Sequence, residues 1–242
     1  MKTKIAITLL ASGWFALPAL AQQKAEPQFK LVQFQLAIFK TGPKAGAMTT
    51  AAVAKLSQEH VKYVTTLIGA GKVISAGHFT DNGDVRGICI FRVATPAEAE
   101  ALAEKDPTVS AGLLSTEIHP WWAEDILRQP DTPLKFEQLY FCFLSRGPHW
   151  TPEKTAAIAE LQKAHLANIA RLAGLKKLLL AGPFGDGGNL AGIFVFRVAS
   201  LAEAQSLTET DPMIQSGRLI ADLHPWMVPE GIFPRASIET QK

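Results

Sequence analysis

The sequence repeats itself. Residues 34–123 align with residues 139–228 at a constant offset of 105, without a gap, and 34 of the 90 aligned positions are identical. The matches cluster: Gly42-Pro43 with Gly147-Pro148, His60 with His165, Ala76-Gly77-x-Phe79-x-Asp81-x-Gly83 with Ala181-Gly182-x-Phe184-x-Asp186-x-Gly188. Further on, Phe91-Arg92-Val93-Ala94 matches Phe196-Arg197-Val198-Ala199, Asp106-Pro107 matches Asp211-Pro212, and His119-Pro120-Trp121 matches His224-Pro225-Trp226. Self-similarity at a fixed period means one structural unit present twice. Any fold proposed for the first copy must therefore also suit the second.

Each copy reads as βαββαβ. An apolar strand (Phe34–Phe39, Leu139–Leu144) runs into a Gly-Pro turn, and a helix follows, over 50–70 or 151–173. Two strands come next, joined by Asp81-Asn82-Gly83-Asp84 or Asp186-Gly187-Gly188-Asn189, centres that suit a tight hairpin. Thr95 or Ser200, with Glu98 or Glu203 three residues on, forms a capping box that opens a second helix. A last strand ends in His-Pro-Trp. This order is that of a split-βαβ, ferredoxin-like α+β unit. Such a unit covers one sheet face with its helices and leaves the other bare, so it needs a partner. Two copies in one chain can pack those faces together as a pseudo-twofold α/β barrel, which predicts a monomeric pseudo-dimer.

The ends read differently. Met1–Lys4 carries two lysines, an apolar run follows, and Ala19-Leu20-Ala21 closes it, which is the pattern of a cleaved secretory signal peptide. Pro18 and the shortness of the run argue against a membrane anchor. The organisation expected is thus a signal peptide over 1–21, an extension over 22–32, repeat 1 over 33–126, a linker over 127–138, repeat 2 over 139–230 and a tail over 231–242. Cleavage after Ala21 implies a periplasmic or secreted protein. It also removes two of 24 basic residues and none of the 22 acidic ones, so the net charge falls from +2 to zero. A neutral chain offers no footprint for nucleic acid or an anionic membrane. Cys89 and Cys142 could pair in an oxidising compartment, but they are not repeat-equivalent and each sits in an apolar run, which favours two separate buried thiols over a disulfide. No metal-ligand spacing, phosphate loop or dinucleotide fingerprint occurs, so no cofactor is expected.

Chemistry-bearing residues recur in both copies. His60 lies on a helical stripe with Val53, Leu56, Val64 and Leu67; His165 lies with Ile158, Leu161, Ile169 and Leu172. A partly buried imidazole needs a partner, so each is either a satisfied core histidine or a catalytic base. Asp81 and Asp186 open the hairpin turn. They either accept turn amides or orient those histidines as general bases. His119 with Trp121, and His224 with Trp226, either wall a substrate pocket or form a structural corner. Asp106 and Asp211 precede prolines and read as ends of the second helix.

Taken together, His165, Ala181-Gly182-Pro183-Phe184-Gly185-Asp186-Gly187-Gly188, Ser200-Leu201-Ala202-Glu203-Ala204, Asp211-Pro212 and His224-Pro225-Trp226 resemble the YCII-related (YciI-like) family. The resemblance covers nearly all of both copies and implies a dimeric α+β-barrel, ferredoxin-like fold. It also implies enzymatic activity at a His and an Asp, carried here as His165 with Asp186 and His60 with Asp81. A relative is similar to muconolactone-isomerase-type and dehydrochlorinating enzymes. The first copy departs from the pattern, with His78, Thr80 and Asn82 where the second has Pro183, Gly185 and Gly187. Three functions stay open: cofactor-independent proton transfer on a small, cyclic, carbonyl-bearing substrate, non-catalytic small-molecule binding, or a structural role.

Overall fold

The computed structural model describes residues 30–234. The signal peptide and most of the tail lie outside them. Repeat 1 comprises β1 (Leu31–Thr41), α1 (Thr50–Gly69), β2 (Val73–Phe79), β3 (Val85–Phe91), α2 (Pro96–Ala103), α3 (Pro107–Ser110) and β4 (Leu114–Glu124). Repeat 2 comprises β5 (Phe136–Arg146), α4 (Ala156–Gly174), β6 (Leu178–Pro183), β7 (Leu190–Phe196), α5 (Leu201–Thr208), α6 (Pro212–Gln215) and β8 (Leu219–Pro229). Each repeat is an antiparallel βαββαβ unit, with one short helix inserted before its last strand.

The strands form one curled sheet in the order β4-β1-β3-β2-β8-β5-β7-β6. The repeats join where Phe79 pairs with Trp226. The far edges meet through a bridge between Trp121 and Phe184. Adding 105 to Phe79 and Trp121 gives Phe184 and Trp226, so the two seams are related by the pseudo-twofold. This explains why the Ala-Gly-x-Phe and His-Pro-Trp motifs recur: each seam is one motif of one repeat against the other motif of the other. Thr80 N donates to Pro225 O at 3.0 Å, and Gly185 N donates to Pro120 O at 2.7 Å. A Cβ on Gly77 would stand 2.3 Å from Trp226 Nε1, and one on Gly182 would strike the Trp122 carbonyl. Both positions need glycine for close approach of backbones.

Period-2 alternation along the strands sorts the core into three parts. The barrel interior holds Phe34, Leu36, Ile38, Trp121, Phe141, Phe143 and Trp226. The opposite sheet faces bury Ala37, Phe39, Cys89 and Phe91 under α1 and α2, and Cys142, Leu144, Phe194 and Phe196 under α4 and α5. Both cysteines are free and buried. Three boundaries differ from those predicted. The last residues of the predicted linker, 136–138, already belong to β5. Ile232 and Phe233, placed in the tail, are core residues that join Leu127 in closing the interior. Helix α4 starts at Ala156 rather than Thr151, because the Thr155 hydroxyl caps it by accepting from Ile158 N at 3.2 Å. The Arg218 guanidinium holds the preceding chain through the Thr151 carbonyl at 2.7 Å.

Candidate functional site

The four recurrent histidines each meet a carboxylate, in pairings other than those predicted. His165 does not reach Asp186; its Nδ1 lies 2.7 Å from Asp211 Oδ2. His60 does not reach Asp81; its Nδ1 lies 2.6 Å from Asp106 Oδ2. Nor do Asp106 and Asp211 end the second helix. They cap the N-termini of α3 and α6, their Oδ1 atoms accepting from Thr108 N and Met213 N at 2.9 Å. Asp at the cap followed by Pro at the first helical position is a start signal, and reading it so would have exposed the pairing. Burial pushes Asp106 up, but the His60 hydrogen bond and charge, with the Thr108 bonds, more than offset it and leave the carboxyl below its ordinary value.

The last strands do not end at His-Pro-Trp but run through it, and Asp81 and Asp186 instead bond these mid-strand histidines of the opposite repeat. His119 Nδ1 lies 2.6 Å from Asp186 Oδ2, and His224 Nδ1 lies 2.7 Å from Asp81 Oδ2. Asp186 also accepts from Gly188 N at 3.0 Å, the turn role expected of it. Burial raises the Asp186 carboxyl, and the His119 and Gly188 bonds bring it below the ordinary value. Trp121 and Trp226 are fully buried in the barrel interior. Nε2 of His119 and of His224 is buried without a hydrogen bond. These residues latch the two repeats together, and in this arrangement neither imidazole presents its free nitrogen to a ligand.

His165 is placed otherwise. Its side chain is 12% exposed and its partner Asp211 fully buried. It borders a cavity of about 470 Å³ between α4 and the sheet, walled largely by apolar residues including Ile158, Leu166, Ile169, Phe194, Met213 and Leu219. The ring lies nearly parallel to that of Phe194, with centroids 6.0 Å apart. Its Nε2 is not sealed in the interior as those of His119 and His224 are. A carboxylate only accepts hydrogen bonds, so in the neutral ring the Asp211 contact places the proton on Nδ1 and leaves Nε2 as an acceptor. The outer wall is the segment before α4. Arg218 holds it through the His149 carbonyl, the Thr151 hydroxyl and the Thr151 carbonyl, and Trp150 stacks under Arg146 at 3.9 Å.

A closed α+β barrel made of two ferredoxin-like halves, each with a His–Asp pair beneath its helix, defines the class. The model of the YCII-related domain matches the chain twice, over residues 36–122 and 140–226, and the chain belongs to this family. Among curated sequences none matches. Among solved structures, a mutant chlorite dismutase from Candidatus Nitrospira defluvii in complex with cyanide is 10% identical. The match covers 81% of this chain and 90% of that one with a TM-score of 0.52. A heme-binding protein from Thermus thermophilus is 13% identical over 88% of this chain and 96% of that one, with a TM-score of 0.50. The chlorite dismutase in complex with imidazole is 8% identical, with 84% and 92% covered and a TM-score of 0.51. At these identities the likeness is one of fold.

Proposed function

We propose that the second repeat holds a small, neutral, largely apolar molecule in the cavity beside α4, and that His165 moves a proton on it. The carrying observation is the Nδ1–Asp211 bond, which leaves Nε2 as a base at the wall of a mostly apolar space. Cavities of roughly 300–1,000 Å³ with few convergent polar groups suit small ligands, and a carboxylate behind an imidazole orients it and supports its basicity. A cyclic carbonyl compound with an acidic C–H or O–H matches that chemistry. The Asp211 carboxylate hydrogen-bonds to His165 and the α6 amide and is fully buried, so it is a positioning residue.

The heme named for one fold relative fits this cavity in one respect only. His165 could serve as an axial ligand, its second nitrogen held by Asp211. The two propionates of a heme, however, need cations. Arg218 is the lone Lys or Arg among the lining residues and three of its five N–H donors already hold the outer wall, while Glu124 and Glu153 line the same cavity. The residues present do not fit that group, and they do fit a neutral occupant.

The test is deuterium wash-in from D2O, followed by NMR, on a panel of butenolides, cyclic enones and hydroxyquinones. We expect exchange that His165→Gln lowers by about 10²-fold or more while folding is kept, and that His60→Gln leaves within twofold. Binding without exchange would make the protein a non-catalytic binding module. With neither, the His165 pair is structural. We further expect, from the leader pattern, cleavage after Ala21 and export. The mutually covered sheets favour a monomer, which light scattering checks.

A further inference from the structure

One end of the barrel opens into a second cavity, of about 370 Å³, lined by residues that correspond between the repeats: Ile38 with Phe143, Lys40 with Ser145, Glu117 with Asp222. The correspondence breaks at one place. In repeat 1, Lys40 lies opposite Ser115, with Glu117 diagonal to it on the same face. The Lys40 ammonium reaches Glu117 at 2.6 Å. In repeat 2, Ser145 lies opposite Ile220 with Asp222 on the same diagonal, so a hydroxymethyl stands where the first copy has an alkylammonium. Diagonal neighbours are about 7–8 Å apart, within reach of a lysine and beyond that of a serine.

The Asp222 carboxylate consequently has no Lys or Arg partner among the described residues. It is 66% exposed, and its one close cationic candidate is His224 Nε2 at 3.2 Å. That contact lacks hydrogen-bond geometry: the nitrogen, in a side chain only 8% exposed, has no hydrogen-bond partner. A protonated His224 would offset part of the Asp222 charge at this distance, but the imidazole is shared with Asp81 and gives Asp222 no hydrogen bond. Beside Asp222 lie Phe143 and Ile38, an apolar floor of the kind that the lysine stem covers in repeat 1. The remaining charged groups facing the cavity are Glu117, taken by Lys40, and Asp186, bonded to His119.

We propose that this mouth binds a small primary alkylamine, its ammonium on Asp222 and its chain over Phe143, in the place of the lysine that the second repeat lacks. The site is separate from the His165 cavity and does not depend on its chemistry. An anionic ligand is disfavoured there by three carboxylates.

Calorimetric titration of the protein with n-butylammonium chloride, and separately with 1-butanol, tests this. An exposed ion pair is weak, so saturable binding with a Kd on the order of millimolar is expected at low salt, loosening as salt is added. 1-Butanol should bind at least about tenfold more weakly. Ser145→Lys should supply the ammonium from within the chain and abolish binding with the melting temperature held or raised. Asp222→Asn should abolish it as well. Should Ser145→Lys fail to fold, the exposed Asp222→Asn carries the result. Undiminished butylammonium binding in the folded variants, equal binding of 1-butanol, or no saturation below about 100 mM overturns the proposal.

Discussion

The two repeats share a backbone plan and a His–Asp pair under the first helix, yet they surround that pair differently. In repeat 1 the Phe39 ring stands edge-on to His60, with centroids 6.1 Å apart. The Asp106 Oδ1 atom accepts the Thr108 hydroxyl at 2.6 Å as well as its amide. In repeat 2 the equivalent positions are Leu144 and Met213, so Asp211 has one fewer donor, and the ring beside the histidine is instead Phe194, where repeat 1 has Cys89. Leu113 of repeat 1 becomes Arg218, which holds the chain before α4 away from the helix. The corresponding stretch of repeat 1 winds into a short 3-10 turn at Ala45–Ala47. The lesson is that a duplicated pair can keep its geometry while its walls change: His165, at 12% exposure, is more buried than His60 at 26%, yet it borders the cavity beside α4.

Removing the carboxylate should hurt most and should not distinguish the repeats. Asp211→Ala leaves a mostly buried imidazole without its partner and an uncapped helix, a loss of about 3–5 kcal/mol by denaturant unfolding. Asp106→Ala should cost at least as much, since Thr108 also loses its acceptor. A cost below about 1 kcal/mol at either site would mean that the pairs are not the clamps described.

Importing repeat 1 residues should then disturb the cavity. Arg218→Leu releases the His149 and Thr151 carbonyls and the Thr151 hydroxyl, loosens the outer wall, and should weaken a ligand of the His165 cavity at least about tenfold, or 1.4 kcal/mol. Unchanged affinity would show that the outer wall does not depend on Arg218. In the reverse direction, Phe39→Leu removes the ring beside His60 and should cost about 1 kcal/mol in stability. A neutral result there would mean that the ring is not what fills repeat 1.

The smallest effect is one of pH. Because the Asp106 carboxyl lies below its ordinary value in the folded protein, it contributes stability above its unfolded-state value. That contribution fades as pH falls through the folded one. Urea midpoints should therefore drop below about pH 4 in the wild type, and Asp106→Asn should show a shallower drop. An identical slope in both would remove Asp106 from the acid response.

Much of the fold was legible because duplication doubles every signal. The gapless offset, the Asn-Gly and Gly-Gly hairpins and the capping boxes at Thr95 and Ser200 all describe short-range structure, and the bare sheet face demanded a partner. The site was less legible because its pairings are long-range. The family resemblance pairs His165 with Asp186, a carboxylate that the pseudo-twofold assigns to His119 of the other repeat. The true partner, Asp211, lies 46 residues on and was hidden behind an ordinary helix-boundary reading. Arg218 and Leu144 gave no signal of their own. They matter only by differing from Leu113 and Phe39.

The central claim is that one repeat, the second, carries the open cavity. Calorimetric titration with a neutral phenol such as 1-naphthol counts the sites directly, since Nε2 of His165 accepts the hydroxyl. The claim predicts one site per chain, lost in Leu144→Phe, which restores the ring of repeat 1, and kept in His60→Gln. Two equivalent sites per chain, or binding that survives Leu144→Phe and disappears in His60→Gln, would contradict it.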